Sequence, residues 1–152
     1  MTHSFISILP ILSIFLSCPS CDKNGNVIPD NSDMSRNRLL IKIGSNTFNA
    51  TLQDNPTTVA FKSLLPLTVN MKELNGNEKY ADLSRDLIIN ASNPGTIQSG
   101  DLMLYGSNTL VLFYKSFSTS YSYTRLGRVD DVTGLAAAVG TGNVPVTFEL
   151  EK

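Results

Sequence analysis

Phe113, Tyr114, Phe117, Tyr121 and Tyr123 fall close together in a stretch otherwise rich in Ser and Thr. Tyrosine offers a large contact area at low cost in conformational freedom, so such a cluster is a candidate ligand surface. Its competing role is core packing, which suits Phe113 best. On a strand, Tyr121 and Tyr123 would share one face. Just downstream, Arg125 and Arg128 flank Leu126-Gly127. Guanidiniums meet carboxylates or phosphates through planar, forked hydrogen bonds. The alternative is that they are solvated or pair with the neighbouring Asp130 and Asp131.

Other chemistry is excluded by what the chain lacks. The single histidine is His3, and both cysteines, Cys18 and Cys21, stand near the N-terminus. Beyond that segment there is neither imidazole nor thiol. Ser-His-Asp and Cys-His machinery is therefore excluded, and so are the usual His or Cys metal sites. The Cys-x-x-Cys spacing occurs in redox and zinc sites, but here it abuts an apolar run rather than a βαβ unit, and no further zinc ligands accompany it. Gly140-Thr141-Gly142-Asn143 follows an expected helix and precedes an expected strand. A phosphate-binding glycine loop needs the opposite order. A Ser-Lys dyad or a carboxylate-only site stays open, but no spacing announces one. Neither metal nor cofactor is expected.

The chain has 152 residues, enough for one domain with a real core, and a formal net charge of −1 that argues against a nucleic-acid surface. Residues 1–21 contain no Lys, Arg, Asp or Glu, and Phe5 to Leu16 is nearly all apolar yet short for a bilayer span. An apolar core running into small residues reads as an export signal. Phe15-Leu16-Ser17-Cys18 resembles a bacterial lipobox, although no Lys or Arg precedes the apolar core and Phe15 stands where Leu is commonest. Residues 1–17 are thus expected to be a signal peptide. Residues 18–37 are expected to be a lipidated N-terminus, with Cys18 as acceptor and Cys21 as the alternative. Asp22 to Asn37 is rich in Asn, Asp, Ser and Gly and reads as a flexible tether. The protein is accordingly expected in the bacterial cell envelope, touching a membrane through its lipid alone. The alternative is a cleaved signal without lipid, giving a secreted or periplasmic soluble protein.

Residues 38–152 must supply the elements that position the candidate side chains. Leu39 to Ile43 and Thr47 to Leu52 read as a hairpin across Gly44-Ser45-Asn46. Asp54-Asn55-Pro56 opens a helix whose apolar face is Val59, Phe61, Leu64 and Leu65, ended by Pro66. Leu67 to Met71 reads as a strand, Glu73 to Arg85 as a polar loop with a short helical turn, and Leu87-Ile88-Ile89 as a short apolar run. Asp101 to Tyr105 and Thr109 to Tyr114 read as a hairpin across Gly106-Ser107-Asn108. Tyr121 to Tyr123 and Leu126 to Val129 read as further strand pieces. Asp130-Asp131 opens a second helix through Val139. In Val144 to Leu150, Val144, Val146, Phe148 and Leu150 share a strand face. Seven or eight short strands with two short helices argue for a closed or nearly closed barrel.

Asn75-Gly76-Asn77-Glu78-Lys79-Tyr80, the block Pro94 to Arg128, and Asp130-Asp131-Val132-Thr133-Gly134-Leu135, in that order, resemble the cyclophilin-like domains of bacterial proteins, whose members largely lack an established function. The resemblance covers nearly all of residues 38–152. It implies a mainly β fold: a cyclophilin-like closed β-barrel of about eight strands with two short capping helices. True cyclophilins are peptidyl-prolyl isomerases, which speed rotation about a slow X–Pro bond. In them an apolar pocket holds the proline ring, an Arg hydrogen-bonds the prolyl nitrogen, and a Gln with backbone groups holds the peptide. Their signature reads Arg-x-x-x-x-Phe-Met-x-Gln-x-Gly-Asp-Phe. Gln98-Ser99-Gly100-Asp101-Leu102 fits its second half, but Asn90 falls at the Arg, Gly95 at the Phe and Thr96 at the Met. Arg85 reaches the site only if the alignment carries a gap. The resemblance therefore implies a non-catalytic binding or accessory domain, with a groove around Gln98, Phe113, Tyr121, Tyr123 and Arg125 that takes an extended peptide or small ligand. A divergent prolyl isomerase using the same groove is the alternative.

Overall fold

Leu39, Ile41 and Ile43 are buried while Lys42 between them is exposed, the period-two pattern of a strand with one face on a core. This strand, β1 (Arg38–Ile43), turns at Gly44, whose φ of 58° suits glycine, into β2 (Asn46–Leu52). The computed structural model describes residues 37–152. The expected signal peptide, Cys18, Cys21 and all of the tether but Asn37 lie outside the described residues.

Helix α1 (Pro56–Lys62) is capped by Asn55, whose side-chain oxygen accepts the Thr58 N–H at 2.8 Å, and Pro56 occupies its first turn. It ends at Ser63, before Pro66. Its inner face is Thr57, Thr58 and Phe61, so Val59 points to solvent rather than inward as expected. Both threonines are satisfied: Thr57 Oγ1 donates to the Ile88 carbonyl at 2.6 Å, and Thr58 Oγ1 donates to Asn55 Oδ1 at 3.1 Å. Phe61 packs edge-on against Phe148, with ring centroids 6.2 Å apart.

Strand β3 (Leu67–Leu74) covers the expected Leu67 to Met71 strand and runs on into a hairpin with β4 (Glu78–Asp82), where the sequence suggested a polar loop. Alternation was hidden because the inward residues here are charged: Glu73 pairs with Lys79 across the two strands. After β5 (Thr96–Ile97), strands β6 (Asp101–Tyr105) and β7 (Thr109–Phe113) form the expected hairpin. Then come β8 (Phe117–Ser118), β9 (Thr124–Val129), α2 (Leu135–Val139) and β10 (Val144–Leu150). Helix α2 begins five residues later than expected from Asp130. Asp131 instead accepts the Thr133 N–H at 2.9 Å in a tight turn, and Gly134 at φ 80° sets the helix start.

Eight strands close an antiparallel barrel in the order β1-β10-β3-β4-β7-β6-β9-β2, with β2 pairing back to β1. Strands β5 and β8 form a separate two-stranded ribbon. The barrel interior holds the main core, including Leu39, Ile41, Met71, Leu102, Leu126 and Phe148. A second cluster, Ile97, Met103, Val111, Phe113 and Tyr123, lies beneath the ribbon. Strands β6 and β7 therefore bury residues on both faces, which explains their continuous apolar runs.

Candidate functional site

The second cluster forms the floor of a groove. Outward positions place Tyr80 on β4, Tyr105 at the end of β6 and Val111 on β7, and the chain from β8 to β9 adds Phe117 and Tyr121 over Tyr123. Segment 116–123 is held by backbone bonds rather than a long ladder: Thr119 N–H donates to Gly95 O at 2.9 Å, and Ser92 and Tyr123 exchange bonds of 3.0 Å. The Asn93 amide donates to the Ser120 carbonyl at 3.1 Å. Tyr105 meets Tyr121 edge-on at 6.1 Å and Tyr123 at 5.6 Å, and Phe113 meets Tyr123 edge-on at 5.5 Å. The groove encloses about 550 Å³.

Among the described residues lining this groove, Glu78 is the one carboxylate. Desolvation first, and then the nearby charge of Glu73, push its carboxyl above the usual range. Burial and the charge of Glu78 push the Tyr123 hydroxyl up, against the lowering effect of a hydrogen bond with Thr119. Tyr114 instead serves the barrel interior. Its hydroxyl donates to Glu73 at 2.9 and 3.0 Å, and burial followed by that bond raises its pKa to about 12.

Gln98 and Arg125 line a different groove of about 660 Å³, together with Leu52, Pro94, Asp101 and Arg128. Buried Asp101 accepts the Gln98 backbone N–H at 2.8 Å and faces Arg125 at 3.7 Å and Arg128 at 3.9 Å. Asp101, rather than Asp130 or Asp131, is thus the local acid for these arginines, while Asp130 pairs with Arg38 at 3.2 Å. The Gln-x-Gly-Asp string builds a turn: the Asp101 N–H returns a 3.0 Å bond to the Gln98 carbonyl, and Gly100 adopts φ 91°.

The five residues expected to share one groove are therefore divided. Tyr121 and Tyr123 line the aromatic groove, Gln98 and Arg125 line the polar one, and Phe113 is fully buried beneath the first. Tyr121 and Tyr123 do not share a strand face. The ladder begins at Thr124, so Tyr121 is 62% exposed and Tyr123 only 6%. Tyr80, Tyr105 and Glu78 were missed in the sequence. Alternation against the inward Leu102 and Leu104 marks Tyr105 as outward-facing, which was the available signal. Arg85 is engaged with α1 through Ser63 and the Ala60 carbonyl.

No curated protein matches this chain. The model of the Cyclophilin-like family matches residues 41–149, from within β1 to within β10. With that match and a closed eight-stranded barrel, the chain belongs to the Cyclophilin-like family.

Proposed function

We propose that this protein is a membrane-tethered lipoprotein of the bacterial envelope whose barrel binds an extended peptide or small ligand without catalysing a reaction. The observation that carries the binding reading is the aromatic groove. Tyr105, Tyr121 and Tyr123 meet around an open volume of about 550 Å³, with Tyr121 mostly exposed instead of packed. Ligand pockets commonly span about 300–1,000 Å³ and pair apolar walls with a few polar groups. Ser118, Ser120 and Asn75 supply such groups here. The tether reading is supported by the apolar run Phe5 to Leu16 and the Cys18 that follows it.

A specific observation also favours the prolyl isomerase as a second reading: Arg125 lines the same groove as Gln98, beside Pro94 and Leu52. Against it, Arg125 faces Asp101, and among the described residues no arginine lines the aromatic groove. One experiment separates the two. The full chain in detergent is offered a panel of Ala-X-Pro-Phe peptides, with tyrosine fluorescence reporting binding and prolyl isomerisation followed in parallel. Binding without acceleration is expected, weakened about tenfold by Tyr121→Ala, the equivalent of about 1.4 kcal/mol. Acceleration that disappears in Arg125→Ala would establish the enzyme instead and place it at Gln98.

A further inference from the structure

The aromatic groove has a charge that the fold does not neutralise. Glu78 stands on the outer face of β4, on the same side as Tyr80, and is half-buried. Among the described residues it makes no ion pair or side-chain hydrogen bond, in contrast to Glu73, which is held by Lys79, Tyr114 and the Gly76 N–H. The preceding residue, Asn77, adds a buried side-chain oxygen that lacks a donor. Among the described residues Glu78 is thus an acceptor without a donor in a groove walled by electron-rich rings. Lys72 reaches the Tyr80 ring at 5.9 Å from its centroid, but it is exposed and not part of the lining.

An aromatic face attracts a cation placed within about 6 Å of the ring centre, most strongly where water is excluded. A carboxylate without a partner, partly stripped of water, attracts the same group. Lysine and arginine carry such a head on an apolar stem, and the stem suits the tyrosine walls. Resting on the binding reading above, we propose that the groove recognises an extended peptide through a lysine or arginine side chain, its charged head at Glu78 and its stem along Tyr80 and Tyr123.

The test titrates the full chain in detergent with acetyl-Ala-Lys-Ala-amide, its arginine analogue, its uncharged norleucine analogue and tetramethylammonium, followed by tyrosine fluorescence. Both basic peptides are expected to bind at least about fivefold more tightly than the norleucine peptide, a difference of about 1 kcal/mol. Glu78→Gln is expected to abolish that preference. The variant removes a charge that no described residue pairs, so it is expected to stay folded, as a thermal transition no lower than that of the unsubstituted protein would verify. Norleucine binding as tight as lysine, or a preference that survives Glu78→Gln, overturns the cation inference and leaves the groove as a ligand site. Tetramethylammonium binding as tightly as the basic peptides overturns the peptide as occupant. Binding by none of the four overturns both the inference and the groove reading.

Discussion

Gly127→Ala is expected to cost about 3 kcal/mol, at the upper end of the overpacking range. A Cβ on Gly127 would stand 2.5 Å from the Thr51 carbonyl oxygen and 3.0 Å from Leu52 Cα. Both atoms belong to the backbone of β2, which pairs with β9 at Leu52↔Gly127. A flexible side chain can swing aside, but a paired strand moves only by breaking its ladder. This seam is also where β9 joins β2 to complete the ring. Domains of this kind are stable by about 5–15 kcal/mol, so the loss is a large fraction of the total. Urea denaturation checks it, with a lowered midpoint and an unchanged slope expected. A midpoint equal to that of the unsubstituted protein would mean that the seam is not as tight as its geometry requires.

Glu73→Ala is expected to destabilise by a similar amount, about 3–5 kcal/mol, for an electrostatic reason. Lys79 is fully buried, with its ammonium 2.5 Å from Glu73, 2.6 Å from the Gly142 carbonyl and 5.6 Å from the centre of the Tyr114 ring. Without Glu73, that ammonium keeps one carbonyl and one ring face in place of its counter-ion. Lys79→Met fills the same space without charge, and Glu73 retains solvent contact, Tyr114 and the Gly76 N–H at 2.8 Å. Lys79→Met should therefore cost much less than Glu73→Ala. The reverse order in paired denaturation curves would refute the account.

The pH dependence carries the same signature. Desolvation alone would raise the Glu73 carboxyl, but the hydrogen bonds from Lys79, Tyr114 and Gly76 outweigh it and hold the group below its ordinary 4.5. A carboxyl depressed in the folded state adds stability above its unfolded pKa, and that stability is lost as pH falls through the folded value. Glu78 has the opposite sign. Its raised carboxyl burdens the fold at neutral pH, and the burden lifts as pH falls through the raised value. Glu78→Gln should therefore gain stability at pH 7, and Glu73→Gln should flatten the acid limb of a stability–pH curve.

The barrel was legible because most of its strands obey simple alternation. Val144 to Leu150 has Val146 and Phe148 inside, and Gly44 and Gly106 turn two hairpins where the sequence placed them. The end of β3 and all of β4 escaped because their inward positions include Glu73 and Lys79, a pattern that reads as solvated loop until the two are seen to neutralise each other. Strands β5 and β8 are two residues long, too short to show any period. The site was half legible. Aromatic density marked Tyr121 and Tyr123, but Tyr80 and Glu78 come from a distant hairpin that only barrel closure brings alongside. The Gln98 string looked like a binding element, yet in the fold Asp101 closes it into a turn, and the position of that turn separates it from the tyrosines.

Barrel closure has a bearing on how the protein behaves when crowded. Each of the eight strands has a partner on both sides, so none is a free edge strand along its whole length for a second chain to extend. Among the described strands β5 and β8 are the ones that pair on one side alone, and two residues make too short a template to nucleate such growth. Closure thereby protects the barrel against edge-to-edge aggregation by its topology.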